Sequence, residues 1–436
     1  MYRTPIRSTV ALAMLVAASA CTFGSGDSTD SATTTDSAAS AENDVSFATD
    51  TLLSGNDVLV TPELRGDTSW RSAADADRRR RHPDAPAAVV PQPVILPDSE
   101  TLATLTAERV NARANRPVLG GEGATVLRAQ ILLDQAGFSP GAIDGSWGGN
   151  TSKAAYWYQD ANNLPVSGFI DTATFARLEQ AAANRPAVAR YTVTAQDLAG
   201  PFVKLPATAY GQAELECLCY ESVKEALAER FHTTQDLLAQ LNRGVNMDAL
   251  AAGAQLWVPN VERPRVPQPK ELARQQQQDG AARGPQAGAA PDTGRILGTP
   301  QVARIVISKK GSYLQAWDAQ GRIIAHFPST LGGGYDPSPD GEFHVTRVAF
   351  DPDFHYNPKL YAEVPDSKPD AWLKPGPNSP VGVVWMALSK PHYGIHGTAS
   401  PSTIGYADSH GCVRLTNWDA RWLAERTPNN TPVEFR

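Results

Sequence analysis

GIHGTASPSTIGYADSHGCVRL, residues 394–415, gathers three reactive side chains in one short segment: His396, His410 and Cys412. The whole chain has only eight histidines and four cysteines among its 436 residues. Glycine follows each of the two histidines, which lets the backbone approach a bound group closely. A metal site, a redox pair, a nucleophile with its base, or chance clustering could each produce such a segment.

Three of these explanations fit poorly. A structural zinc site has closely paired ligands such as C-x2-C, and that spacing is absent. A redox pair needs a second thiol nearby, and none is present in the segment. Chance clustering does not explain why glycine follows both histidines. Glycoside hydrolysis, a further possibility, would need two positioned carboxylates. A thiol needs a base or a lowered pKa to react at neutral pH, and His396 lies 16 positions before Cys412. The pattern favours a cysteine nucleophile with a histidine base, with no metal and no cofactor.

The same segment resembles the active-site motif of the L,D-transpeptidases, the YkuD-type catalytic domain. Their pattern is a histidine, a gap of this length, then [Ser/Thr]-His-Gly-Cys, an apolar residue and Arg or Asn. The upstream stretches STLGGGYDPSPDGEFHV and NSPVGVVWMALSKPHYGIHGT are similar to the family as well. The short strands of residues 301–436 predict a mainly-β domain, a sandwich or a barrel, and the resemblance implies that this domain is the catalytic one.

The resemblance implies a role for each motif residue. Cys412 is the nucleophile, His396 is the general base and then the acid, and Arg414 pairs with a substrate carboxylate. The carbonyl of the glycine after His396 would hold the imidazole, and backbone N–H groups beside the nucleophile would form the oxyanion hole. The supporting residues implied in this way are Gly397, Ser409, His410 and Gly411.

The reaction implied is acyl transfer on peptidoglycan stem peptides. D-Ala leaves, a thioester remains on Cys412, and an amine attacks it. A second stem as the amine donor gives a 3→3 cross-link, a lysine of a wall-anchored lipoprotein gives protein attachment, and water gives an L,D-carboxypeptidase. The alternatives are a hydrolase that detaches wall-linked protein and a non-catalytic peptidoglycan-binding lipoprotein.

MYRTPIRSTVALAMLVAASAC, residues 1–21, predicts a lipoprotein-type signal peptide, because two arginines precede a short apolar run. The small residues before Cys21 resemble a bacterial lipobox, which would make Cys21 the lipidated residue and the membrane a partner. We expect a periplasmic, lipid-anchored protein, with the outer membrane favoured because Thr22 follows the cysteine. The net charge of −7 offers no basic surface for nucleic acid.

The composition predicts a multidomain chain. Residues 22–98 are rich in Ser, Thr, Asp, Ala and Pro, which predicts a disordered tether with a solvated arginine run at 78–82. Residues 262–300, rich in Pro, Gln, Gly and Ala, predict a second linker.

Residues 99–185 predict a small all-α domain of three helices. LRAQILLDQAGF, PGAIDGSWGGNT and AAYWYQDANNLPVSGFIDTATFARL resemble the three-helix peptidoglycan-binding domain. We expect Asn150 or Thr151 to cap the second helix and Asp171 or Thr172 to cap the third. The residues that match the D-G-x-x-G-x-x-T core of this family are Asp144, Gly145, Gly148 and Thr151.

Residues 190–261 predict a small α+β domain of a strand, two helices and a closing strand. HTTQDLLAQLN followed by GAQLWVPN is similar to the LysM module, a polysaccharide binder, and a spacer without a ligand is the alternative. Cys217 and Cys219 are either bonded to each other in an oxidising compartment or are two small buried residues. Near the C-terminus, NWDARWLAER predicts a helix that begins after a cap at Asn417.

Overall fold

A computed structural model describes residues 69–84, 86–89, 101–112, 117–118, 120–183, 185–261, 301–334, 336–360 and 367–436. They all belong to the unit Ser46–Arg436. The predicted signal peptide with Cys21 and the predicted linker at 262–300 lie outside the described residues. Within these ranges, no helix combines the length and the apolar character needed to cross a membrane.

The N-terminal part of the described chain is helical. Its three-helix domain, residues 120–183, carries the predicted helices, and Asp171 caps the last of them by accepting a hydrogen bond from the N–H of Thr174 at 2.7 Å. The helices are α1 (Trp70–Arg81), a 3-10 turn (Leu102–Thr104), α2 (Ala107–Asn111), α3 (Ala124–Gln135), α4 (Gly149–Ala161) and α5 (Thr172–Ala181).

Helix α1 corrects the prediction of a disordered tether for Trp70–Arg81, whereas most of the predicted range 22–98 lies outside the described residues. Trp70 and Ala74 are buried against α4. Of the arginines at its end, Arg79 and Arg80 are exposed as expected, whereas Arg78 is buried and Arg81 is half-buried. Arg78 and Arg81 both bond the carboxylate of Asp160, and Arg81 also lies over the ring of Trp317. The segment has too few apolar residues to fold alone, and it is ordered by surface that the other domains supply.

Residues 185–261, the accessory module, follow the predicted order with one extra helix. Its strands pair antiparallel, with Val188 opposite Pro259. Cys217 and Cys219 form a disulfide, which settles the alternative left open by the sequence. The elements are β1 (Val188–Thr192), α6 (Ala209–Ala213), α7 (Val223–Arg230), α8 (Gln235–Leu241) and β2 (Gln255–Pro259).

The C-terminal domain, residues 301–436, is mainly β as predicted. Its strands are β3 (Arg304–Ser308), β4 (Tyr313–Trp317), β5 (Ile323–Pro328), β6 (Leu331–Gly332), β7 (Gly341–Phe350), β8 (Phe354–Tyr356), β9 (Ala371–Leu373), β10 (Val384–Leu388), β11 (Gly394–His396), β12 (Asp408–Ser409), β13 (Val413–Arg414) and β14 (Pro432–Phe435), with helix α9 (Asn417–Arg426) before the last strand. Eight of them form a mixed sheet in the order β13-β11-β10-β7-β14-β3-β4-β5.

Strand β4 shows how the domains are joined. All five of its residues are buried, which is expected only of a strand covered on both faces. Tyr313 and Trp317 face the core built with α4, whereas Leu314 and Ala316 face the core that includes α9. The three-helix domain therefore covers one face of the eight-stranded sheet.

Two predicted helix caps are wrong. Helix α4 begins at Gly149 after Gly148, so Asn150 lies inside the helix. Helix α9 is capped by Thr416, whose hydroxyl accepts a hydrogen bond from the N–H of Asp419 at 3.2 Å, so Asn417 is the first helical residue. The side chains of both asparagines bond other parts of the molecule instead.

Replacing Trp157 by alanine is expected to destabilise the protein by about 3–5 kcal/mol, because a fully buried indole would leave a cavity where it now packs against Tyr313, with ring centroids 5.4 Å apart. Thermal and denaturant unfolding measure the loss. Trp372→Ala is the matched control, since this indole is 63% exposed, and it should cost about 0.5 kcal/mol. An equal cost for both variants would contradict the burial argument.

Candidate active site

The candidate site lies at the edge of the eight-stranded sheet, where β11 and β13 pair in parallel. Ile395 lies opposite Val413, and His396 lies opposite Arg414. Ile395 and Val413 both point into the core. Because side chains alternate along a strand, Cys412, His396 and Arg414 share the other face. The 16-residue spacing in the sequence thus becomes one contiguous surface.

The backbone orients His396. Its Nδ1 lies 2.7 Å from the carbonyl oxygen of Gly397, and a carbonyl can only accept, so Nδ1 carries the proton and Nε2 keeps its lone pair. The ring is 4% exposed and stacks on Trp385, with centroids 5.4 Å apart. Burial, and to a lesser extent the charge of Arg414, lowers the pKa of His396 to about 3, although the hydrogen bond to Gly397 acts in the opposite direction.

Cys412 is a half-buried thiol in its resting state. Its Sγ lies 3.6 Å from the carbonyl oxygen of His392. Burial raises the pKa of Cys412 to about 11, and the Gly394 backbone and the charge of Arg414 lower it less than burial raises it. With a low histidine pKa and a high cysteine pKa, both groups are neutral at pH 7.

Hydrogen bonds fix the turn that carries the nucleophile. The hydroxyl of Ser409 donates to the carbonyl oxygen of Cys412 at 2.5 Å. Ser338 donates to the carbonyl oxygen of Gly411 at 2.9 Å and accepts from the N–H of Gly332 at 2.9 Å. These bonds tie the turn to β6 and to the loop that follows it.

Glycine is required at position 411. Its φ of +85° is disfavoured for other residues, and a Cβ there would lie 2.7 Å from the ring of Tyr393. The pKa of Tyr393 is raised by burial and by the neighbouring Asp336. His410, beside this glycine, is half-buried. Sequence reasoning missed Tyr393 and Asp336, although both lie in stretches that are similar to the family.

Asn417 binds the backbone at the start of the segment that connects His396 with Cys412. Its Oδ1 accepts hydrogen bonds from the N–H groups of Val383 at 3.2 Å and Thr398 at 3.1 Å. A Cβ on Gly397 would lie 2.2 Å from this oxygen, so the close approach demands glycine. Asn417 Nδ2 donates to both carboxylate oxygens of Glu229 at 3.1 Å.

Glu229 brings the accessory module into this network. Burial raises its pKa to about 8, while hydrogen bonds from Asn417 and Tyr220 act in the opposite direction. Below that pH the carboxyl is mostly neutral, which makes its burial tolerable. No sequence pattern indicated this residue, because it lies on α7, far along the chain from the motif.

The described residues contain no group of three or more His, Cys, Asp and Glu side chains that could hold a metal ion. Cys412 is the free cysteine of the described chain, since Cys217 and Cys219 are bonded to each other. The side chains that the β11–β13 pairing brings to one face are a thiol, an imidazole and a guanidinium.

Comparison with known proteins identifies the family. A model of the L,D-transpeptidase catalytic domain, YkuD, matches residues 302–435, and a model of a putative peptidoglycan binding domain matches residues 122–178. A putative L,D-transpeptidase of Fuscovulum blasticum is 33% identical over 137 residues, which are 31% of this chain and 69% of that protein. The chain belongs to the L,D-transpeptidase family. Neither of the two models reaches residues 190–261, so the LysM-like assignment stays a prediction.

Two further relatives differ in how far they match. A putative L,D-transpeptidase of Bacillus licheniformis is 29% identical over 211 residues, 48% of this chain and 92% of that protein. The crystal structure of L,D-transpeptidase 3 from Mycobacterium tuberculosis is 16% identical with a TM-score of 0.26, covering 31% of this chain and 61% of that one. This chain thus spans less than two thirds of the solved enzyme.

Alkylation of Cys412 by iodoacetamide is expected to be slow at pH 7 and to rise about tenfold per pH unit up to about pH 11, because only the thiolate reacts and burial raises the thiol pKa. Intact-protein mass spectrometry gives the rate, with Cys412→Ala as the control for other thiols. A plateau between pH 6 and 8 would contradict a neutral pair and show a resting thiolate–imidazolium pair.

Proposed function

We propose that the C-terminal domain transfers acyl groups of peptidoglycan stem peptides through Cys412. The observation that carries the proposal is the β11–β13 pairing, which puts the thiol on the same face as an imidazole whose Nδ1 is tied to a carbonyl. That arrangement leaves Nε2 as the proton acceptor, which a neutral thiol requires. The family membership of the chain points to the same chemistry.

The first half-reaction forms a thioester. Sγ of Cys412 attacks the carbonyl that links the third stem residue to D-Ala, and His396 Nε2 takes the thiol proton. Backbone N–H groups near Gly411 and Cys412 face the developing oxyanion. When the tetrahedral intermediate collapses, the C–N bond breaks and His396 returns the proton to the departing amine of D-Ala.

The second half-reaction regenerates the enzyme. An acceptor amine attacks the thioester, His396 removes its proton, and the proton passes to the departing thiolate of Cys412. Arg414 is proposed to bind a substrate carboxylate, since its guanidinium suits that geometry. An amine from another stem gives a 3→3 cross-link and a lysine of a wall-anchored lipoprotein gives protein attachment.

The three-helix domain and the accessory module are proposed to hold peptidoglycan near this site, the first because it matches a putative peptidoglycan binding domain, the second because it resembles LysM. Lipidation at Cys21 and a periplasmic position at the outer membrane complete the proposal. They rest on the sequence of residues 1–22 alone.

Wild-type protein mixed with a disaccharide-tetrapeptide is expected to gain the mass of the tripeptide-bearing acyl group on Cys412, with D-Ala released and dimeric muropeptide formed. Cys412→Ala should show no adduct, and turnover should fall about a thousandfold or more because the nucleophile is gone. Intact-protein mass spectrometry and muropeptide chromatography follow both products.

The other outcomes assign other functions. An adduct that resolves only to tripeptide would replace the proposal by a carboxypeptidase or a protein-detaching hydrolase. An absence of adduct in the wild type, with binding to sacculi retained, would identify a non-catalytic wall-binding protein.

A further inference from the structure

The segment between His396 and Cys412 touches the three-helix domain at its midpoint. Nδ2 of Asn150 donates a hydrogen bond to the carbonyl oxygen of Ile404 at 2.7 Å, and Asn150 is only 4% exposed. The N–H of this amide is therefore the buried partner of a carbonyl on the catalytic segment. Losing it would leave that carbonyl without its hydrogen bond in a buried place.

Gly405, the next residue of the segment, approaches Asn150 so closely that a larger residue would clash with it. Gly405 has a φ of +81°, and a Cβ on it would lie 2.5 Å from Oδ1 of Asn150. On the other side of the contact, a Cβ on Gly148 would lie 2.7 Å from the hydroxyl of Tyr406. Close approach on both sides makes this a fitted contact that larger residues would disrupt.

Hydrogen bonds continue from this contact to the strand that follows the nucleophile. The N–H of Gly405 donates to the hydroxyl of Thr330 at 3.0 Å. The backbone of Thr330 exchanges hydrogen bonds with Arg414, at 3.1 Å and 2.9 Å. Asn150 is thus connected through Ile404, Gly405 and Thr330 to β13, which begins directly after Cys412.

Hydrogen bonds from backbone and side chains join the three-helix domain to the C-terminal domain. The N–H of His326 donates to the carbonyl oxygen of Gly137 at 3.0 Å, and the N–H of Ser139 donates to the carbonyl oxygen of His326 at 2.9 Å. The hydroxyl of Ser139 donates to Asp419 at 2.8 Å. With the shared core around Trp157, these bonds fix α4 against the catalytic sheet.

We propose that Asn150 is a positioning residue for acyl transfer, through which the three-helix domain holds segment 401–406 and keeps Cys412 in register with His396. The inference rests on the proposed function and adds to it. The domain that matches a wall-binding family would then be a structural part of the active site as well as a tether to substrate.

The test uses the full chain with Asn150→Ala and Asn150→Asp. Asp is nearly the same size but lacks the N–H that donates to Ile404, so both variants should lose the contact. We expect the acylation rate constant at saturating tetrapeptide to fall about tenfold to a hundredfold, since small misplacements cost that much. KM, sacculus binding and alkylation of Cys412 by iodoacetamide should stay unchanged, because none of them needs the base and nucleophile aligned.

Ser152→Ala is the matched control. Ser152 lies on the same helix, and its buried hydroxyl donates to the carbonyl oxygen of Gly168 at 2.7 Å, inside the three-helix domain. It should lower stability without lowering the acylation rate constant. Gly405→Ala perturbs the contact from the catalytic side and should reproduce the Asn150 effect if the Asn150 variants fold poorly.

Two results would overturn this inference but not the proposed function. One is normal acylation in the Asn150 and Gly405 variants beside an active wild type. The other is an equal loss of acylation in Ser152→Ala, which would mean general destabilisation. A wild type that is not acylated by the tetrapeptide overturns the proposed function, and the inference with it. Slow acylation confined to the Asn150 and Gly405 variants, with unchanged KM, supports it.

Discussion

The parallel pairing of β11 with β13 is the constraint on which the candidate site depends. Antiparallel neighbours can be joined by a tight turn, but parallel neighbours need a crossover, commonly a helix. Here the crossover is the irregular stretch from Gly397 to Cys412, with a 3-10 turn at Pro401–Thr403 and the two residues of β12. A connection of this length without a helix holds its ends in register only if other parts of the molecule bind it.

Two asparagines supply much of that binding, and both were assigned wrongly from the sequence. Asn150 and Asn417 each stand at the start of a helix, where an asparagine ordinarily serves as a cap. In the structure each lies inside its helix and its amide bonds distant backbone, at Ile404 and at Thr398. A cap is a local interaction that sequence spacing can reveal. A tertiary hydrogen bond depends on which domain packs beside it, and spacing does not contain that information.

The elements that sequence predicted well are those whose signal is local. Strands β3, β4 and β5 follow from their apolar runs and the turns between them, and the Cys412 motif was recognised because its residues are contiguous. Helix α1 was missed for the opposite reason. Its composition is that of a solvated charge run, and Trp70 and Ala74 are its only buried apolar residues, packed against a neighbour far along the chain. Glu229, Tyr393 and Asp336 were missed in the same way.

Burial and the charge of Arg414 set the protonation states of the two reactive groups at rest. Burial keeps both the thiol and the imidazole neutral, so the resting enzyme has no ion pair to desolvate. Arg414 lowers both pKa values, opposing the imidazolium and favouring the thiolate, and these two effects work against each other in a thiolate–imidazolium pair. In the proposed reaction, the thiol first passes its proton to His396, and the charge of Arg414 favours the thiolate that results. The proposed reaction therefore has to separate charge within the site, which requires that the crossover keep Cys412 and His396 on the face they share.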